Sequence, residues 1–222
     1  MFKIVIPSKN VDNLNACLDS IALNEPMFLS ADVIVVDDGL WLRGLSKYHL
    51  GVTFVQGQKP FNFARNVNLG LDKAGSSDVI VLNDDTKLVT KFGFSKLRDF
   101  VAKEARLAVY SPGIKGDVGN PNQQYTANEK ELVREELGSL MFVCVYLKKE
   151  VLDEVGVLDE RFSGYGYEDN DYCRRALGVG AKLVVWNGCV VEHSGKPTFR
   201  TQANFQELFN KNREIYAKKW ND

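Results

Sequence analysis

The chain has no apolar run long enough to cross a bilayer. Its longest, Leu140-Met141-Phe142-Val143-Cys144-Val145-Tyr146-Leu147, has the length of a strand, well short of the roughly 20 residues a spanning helix needs. Met1-Phe2-Lys3 passes directly into Ile4-Val5-Ile6-Pro7, too short an apolar stretch for the core of a secretory leader. Any membrane contact is therefore expected to be peripheral. Cysteine is scarce: Cys17, Cys144, Cys173 and Cys189 stand far apart, which excludes the close pairing of a zinc site or redox dithiol. A reduced, cytoplasmic setting is expected rather than a disulfide framework. Charge of one sign is missing too, with 28 Lys and Arg against 29 Asp and Glu. No overall field draws the chain toward nucleic acid or an anionic membrane. Internal repeats and low-complexity segments are absent.

What is present is an ordinary globular composition, 222 residues with 45% hydrophobic and 26% charged, enough for a substantial core. Short apolar strands at residues 4–6 and 33–36 flank a segment with helical spacing of Leu14, Cys17, Leu18 and Ile21. That is a βαβ unit, which favours parallel pairing through a right-handed crossover. A strand at 52–55, a helix at 64–74 and a strand at 79–82 follow, so the first part resembles a nucleotide-binding α/β half. A helix near 94–103 and a strand near 107–110 come next. Residues 111–128, rich in Gly, Pro, Asn and Gln, are expected to form a long loop. Beyond it lie a strand at 140–147, a helix at 149–155, a Gly- and acid-rich segment at 163–171 opening a helix, and two strands at 182–186 and 189–192. Residues 202–220 read as an amphipathic helix with Phe205, Leu208, Phe209 and Ile215 on its apolar face.

The informative stretch is Val79-Ile80-Val81-Leu82-Asn83-Asp84-Asp85-Thr86, an apolar run that ends in oxygen-bearing side chains. In an open α/β sheet, ligands bind at the carboxyl ends of strands. Carboxylates there suit Mg²⁺ or Mn²⁺, which can in turn hold phosphate, although Asn and Asp also make turns. Asp37-Asp38-Gly39 carries the same two readings. Arg65, at a helix start, is a solvated charge or a bidentate diphosphate contact. Glu168-Asp169-Asn170-Asp171 is either helix capping or a reactive carboxylate cluster. His193, after a late strand, is structural or a metal ligand.

Their order along the chain resembles inverting nucleotide-sugar glycosyltransferases of the GT-A fold, particularly family 2. The matching elements are Ile4-Val5-Ile6-Pro7-Ser8-Lys9-Asn10, Val35-Val36-Asp37-Asp38-Gly39, Ala64-Arg65-Asn66 and the Asn-x-Asp variant of the metal motif in Asn83-Asp84-Asp85-Thr86. They continue with Gly156-Val157-Leu158-Asp159-Glu160-Arg161-Phe162, Gly166-Tyr167-Glu168-Asp169 with its helix, and Val190-Val191-Glu192-His193. The resemblance extends from Phe2 to about Pro197. It implies an α/β fold with a mixed, mostly parallel central sheet flanked by helices. Residues 1–200 would form the GT-A domain, with a nucleotide-binding half to about 110 and an acceptor-binding half beyond, and residues 201–222 a C-terminal amphipathic helix.

The resemblance also implies roles. Pro7, Asp37, Asp38, Arg65, Asn83 and Asp84 would bind the nucleotide sugar, with a carboxylate of Asp37 or Asp38 accepting from the imide N–H of a uracil or thymine base. That favours a UDP- or dTDP-type donor. Asp85 and His193 would hold Mn²⁺ or Mg²⁺, neutralising the departing diphosphate. Asn83 departs from the commoner Asp-x-Asp form and leaves the strength of the metal site open. Asp169 would be the general base, with Glu168 as its neighbour. The hydroxyl acceptor, whether glycan, lipid carrier, protein or modified nucleobase, is not specified. Two alternatives share much of the pattern: a retaining transferase of the same fold and a catalytically idle nucleotide-sugar-binding module. A nucleotidyltransferase is disfavoured, because Pro7-Ser8-Lys9-Asn10 is a poor phosphate loop.

Overall fold

The structure is a computed structural model that describes residues 2–26, 32–39, 51–129, 132–135, 138–194 and 205–220. Strands β1 (Phe2–Ser8), β2 (Val33–Asp37), β3 (Thr53–Gln56) and β4 (Asp78–Leu82) pair in parallel, with β1 between β2 and β4. Their side chains alternate between two apolar layers because successive residues of a strand face opposite sides. Ile4, Ile6, Val33, Val35, Ile80 and Leu82 face one layer, and Val5, Ile34, Val36, Val79 and Val81 the other. Both faces are covered, which is why these strands read as continuous hydrophobic runs.

Helix α1 (Val11–Asn24) covers the first face with Leu14, Cys17, Leu18 and Ile21. Its N-terminus is capped by the Asn10 side chain, which accepts from the backbone N–H groups of Asp12 and Asn13. Helix α3 (Gly93–Lys103) extends that layer with Phe94, Leu97 and Val101. Helix α2 (Phe63–Ala74) covers the opposite face, capped by Asn62. It lies so close to β1 that a Cβ on Gly70 would stand 2.2 Å from Cγ1 of Val5. Helices α4 (Lys149–Val155) and α5 (Glu168–Gly178) complete the second layer.

Past β4 the sheet becomes mixed. Among the described residues its order is β3-β2-β1-β4-β8-β6-β9-β5, with β7 (Val133–Arg134) also paired to β9. Strand β8 (Cys144–Leu147) runs antiparallel to both β4 and β6, and β9 (Lys182–His193) pairs parallel with β6 and antiparallel with β5 (Thr86–Leu88).

Three expectations are corrected here. The loop expected from residue 111 begins later, because β6 (Ala108–Gly116) continues in register with β9 through Ser111-Pro112-Gly113-Ile114. The late pair of strands is a single strand: Trp186 lies opposite Pro112 and Val190 opposite Gly113, so residues 187–189 form a bulge rather than a turn. The strand expected from 140 starts only at Cys144, since Met141 N–H donates to the Gln123 side chain and Leu140 N–H to the Cys173 sulfur instead of joining the ladder. The final helix, α6, spans Phe205–Trp220, and residues 202–204 of the expected helix lie outside the described residues. No described helix is long and apolar enough to cross a membrane.

Candidate active site

Strands β2 and β1 lie on one side of the β1/β4 boundary, with β4 and β8 on the other, so the chain's strand order reverses there. Crevices at such a switch point, outside the carboxyl ends of the strands, are where open α/β sheets bind ligands. A cleft of about 450 Å³ opens at this place, lined by Pro7 from β1, Asn83, Asp84 and Asp85 after β4, Glu168 and Asp169 from α5, and His193 from β9.

Asn83-Asp84-Asp85 is a turn whose residues line the cleft. Thr86 N–H donates to the Asn83 carbonyl at 3.2 Å, turning β4 into β5. Asp84 points back to β1, where Ser8 Oγ donates to its Oδ2 at 2.6 Å. Burial raises its pKa to about 6; the bonds from Ser8 and from the backbone of Lys9 and Asn10 hold it down, and the Asp85 charge adds to the rise. Asp85 faces the other way. Because β5 pairs with β9, Thr86 stands opposite His193, and His193 Nε2 comes to 3.2 Å from Asp85 Oδ1. The other ring nitrogen, Nδ1, is hydrogen-bonded to the Asp117 carbonyl, which fixes the imidazole's orientation. Burial alone would lower the His193 pKa, but Asp85 and Asp117 together raise it.

Glu168 and Asp169 open α5, whose first turn follows Gly164, Gly166 and Tyr167, all with positive φ. Asp169 accepts a first-turn backbone N–H, but capping does not use up the pair: Tyr167 at the N-cap makes no side-chain bond, and Glu168 Oε2 is buried without a hydrogen-bond partner. Burial raises both carboxyls. Glu168 is pushed further by the adjacent Asp169 charge, whereas Asp169 is held back by backbone N–H groups, including that of Asn170 at 2.8 Å. Asp171, by contrast, points away from the cleft and is held by Arg175, Lys219 and Trp220.

The nucleotide-side residues fall into two groups. Asp38 is joined to β1 by its N–H bond to the Ser8 carbonyl, and its buried carboxylate pairs with the Lys59 ammonium, 3.0 Å from Oδ2, while Oδ1 has no hydrogen-bond partner among the described residues. Asp37 accepts from Gly39 N–H at 2.7 Å and so serves the turn. Arg65 is not brought into the cleft lining: its guanidinium donates to the carbonyls of Gln58 and Pro60, with buried Nε unpaired. Between the groups lies Lys9, which residue-by-residue reading of the sequence passed over. Its ammonium is 4.9 Å from the Phe61 ring centroid and 5.7 Å from that of Tyr165. Burial lowers its pKa, against the opposing influence of Asp38 and Asp84. Helix α6 supplies Phe205, Gln206 and Phe209 to the far wall. Only an i, i+4 aromatic spacing on an apolar face hinted at them.

The donor set fits a divalent cation shared with a ligand. Among the described residues no group of three His, Cys, Asp or Glu converges on one point, so Asp85 and His193 offer two ligands and leave the rest to phosphate oxygens and water. The cleft lining also carries Asp84, Asp85, Asp117, Glu168 and Asp169 against one imidazole, a surface that repels a diphosphate unless a cation intervenes.

Comparison with known proteins agrees with this fold. Over 97% of the chain the fold superposes on GalNAc-T7, determined with UDP, GalNAc and Mn²⁺, at a TM-score of 0.67 and 15% identity, covering 49% of that chain. Over 98% it superposes on residues 1–349 of S. aureus TarS at a TM-score of 0.67 and 16% identity, covering 64% of that chain. The architecture is that of the GT-A glycosyltransferases. The model of glycosyl transferase family 2 matches residues 3–156, and the chain belongs to that family. A curated relative, the uncharacterized protein y4gI of Sinorhizobium fredii (strain NBRC 101917 / NGR234), is 23% identical over 211 residues. That alignment covers 81% of this chain but 23% of the relative, so the chain spans about a quarter of that protein's length.

Proposed function

We propose that the protein is a metal-dependent, inverting glycosyltransferase that moves a sugar from a UDP- or dTDP-type nucleotide sugar to an acceptor hydroxyl. The observation that carries this reading is one cleft holding two opposed sets of groups, Asp85 with His193 at the sheet's carboxyl edge and Glu168 with Asp169 at the start of α5. A solved structure of the same fold holds UDP, GalNAc and Mn²⁺, which supports the donor class.

On this reading Asp85 and His193 hold Mn²⁺ or Mg²⁺, which neutralises charge gathering on the departing nucleoside diphosphate. Asp38 accepts the imide N–H of the base, supported by its buried carboxylate, whose Oδ1 has no hydrogen-bond partner among the described residues. Pro7, Asn83 and Asp84 line the donor side, with Asp84 anchored through Ser8, and Lys9 stands beside them as a counter-charge. Arg65 braces the segment of Gln58 and Pro60 rather than touching the donor. Asp169 takes the proton of the acceptor hydroxyl as its oxygen attacks the anomeric carbon opposite the leaving group. Glu168, kept protonated by burial and by the Asp169 charge, spares the pair mutual repulsion and keeps the base ionised.

Thermal unfolding of the wild type with UDP-sugars and Mn²⁺ tests the donor side. A Tm rise that needs both ligand and metal, and that disappears in Asp85→Ala, is expected. A rise of the same size without metal would remove the ion from the account.

A further inference from the structure

Helix α6 bears on the one turn that presents Glu168 and Asp169. Its only buried residue, Asn212, is fully enclosed and spends its side chain entirely on that turn. Oδ1 accepts from Ser163 N–H at 2.9 Å, while Nδ2 lies 2.9 Å from the Ser163 carbonyl, 3.2 Å from that of Tyr165 and 2.9 Å from that of Gly166. The same helix closes over the turn. A Cβ on Gly166 would stand 2.9 Å from the Phe209 ring, and one on Gly164 3.2 Å from Leu208. Tyr167, at φ 71° in a backbone region that non-glycine residues avoid, is held between the rings of Phe209 and Tyr216 at centroid distances of 5.2 and 5.4 Å.

Attachment of the helix alone does not require this arrangement. The far end of α6 has its own anchors, Lys219 to Asp159 at 2.8 Å and to Asp171 at 2.6 Å, and Trp220 to Asp171 at 3.0 Å. An amide that satisfies one donor and three carbonyls of a five-residue turn fixes the direction in which the next two residues leave it. No shorter uncharged side chain offers two donor hydrogens together with a separate acceptor atom.

We propose that Asn212 is a positioning residue: from α6 it fixes the backbone of residues 163–167 and thereby the placement of Glu168 and Asp169 in the cleft. The inference rests on the reading of Asp169 as the base only for its effect on rate, not for the structural coupling itself.

Three variants test it. Asn212→Ala removes all the bonds, isosteric Asn212→Asp retains the acceptor for Ser163 N–H but sets a carboxylate oxygen against three carbonyls, and Lys219→Ala loosens the other end of α6 while Asp171 keeps Arg175 and Trp220. Both Asn212 variants are expected to lower kcat at least tenfold, with the UDP affinity measured with Mn²⁺ within twofold of wild type. Hydrogen exchange at the Ser163 amide should accelerate at least tenfold in both. Lys219→Ala should lower Tm yet keep kcat and Ser163 exchange within twofold. An Asn212→Asp protein with wild-type kcat and exchange, or a Lys219→Ala protein that loses as much kcat as Asn212→Ala for the same fall in Tm, would overturn the proposal. Should the wild type turn over no nucleotide sugar, the functional reading fails by itself. The exchange result then decides: acceleration confined to the Asn212 variants sustains the positioning role, and equal exchange in all three removes it.

Discussion

Glu168 and Asp169 are neighbours in sequence and both buried, and the proposed function gives them opposite protonation states. The pair is expected to show this in two experiments. Replacing the base, Asp169→Asn, should cut kcat by about 10²–10⁴, the range for a positioned general base, while nucleotide affinity stays within twofold; equal loss of both would assign Asp169 to binding instead. Because burial raises its pKa, the acid limb of kcat should lie above the usual aspartate range near pH 3.9. Glu168→Gln imitates the protonated acid. A carboxyl whose folded pKa exceeds its unfolded value gives stability that is full at low pH and declines as pH rises through the folded pKa. Wild-type Tm should therefore fall as pH rises from about 4.5 to about 8, between the unfolded and folded pKa of Glu168, and level off above it, and the fall should be shallower in Glu168→Gln. Parallel Tm–pH curves for the two proteins would contradict the protonated state of Glu168.

At the scale of elements, local pattern and long-range pairing divide the fold between them. The buried positions of α1, Leu14, Cys17, Leu18 and Ile21, are those its helical spacing marked, and β1, β2 and β4 stand where the apolar runs placed them, because a strand buried on both faces writes itself into composition. Strand β6 did not. Ser111, Pro112 and Gly113 have the composition of a loop, and only pairing with a strand some 75 residues away makes them strand. The same contact joins the two expected strands on either side of Asn187-Gly188 into one with a bulge. Asn83-Asp84-Asp85 forms the turn its composition offered, and that β4–β5 turn points Asp84 toward Ser8 and Asp85 toward His193. Gly70 tests the close approach of α2 to β1. Gly70→Ala should cost about 1–3 kcal/mol, as overpacking of a tight core does, despite the better helix propensity of alanine. Adding Val5→Ala, which removes the methyl 2.2 Å from the new Cβ, should return part of that loss in chemical denaturation; no coupling between the two changes would show that the helix simply moves away.

The whole molecule assembles its cleft from both ends of the chain. Residues of β1 meet those after β4 by parallel pairing, Asp85 meets His193 across a strand pair separated by more than 100 residues, and α6 closes one wall with Phe205 and Phe209. The carboxylates and the histidine were legible as motifs in order; Lys9 and the Asn212 contacts were not, since a lone lysine after a strand and an asparagine in a polar helix carry no local mark of where tertiary structure will bring them. The most direct test of the account is release of nucleoside diphosphate from UDP- and dTDP-sugars offered with candidate hydroxyl acceptors and Mn²⁺, read together with the anomeric configuration of the product by NMR. The account requires turnover of at least one donor that stops with chelator and in Asp85→Ala and gives an inverted anomer. Turnover that persists with chelator or in Asp85→Ala, or a product with the donor's configuration retained, would contradict it.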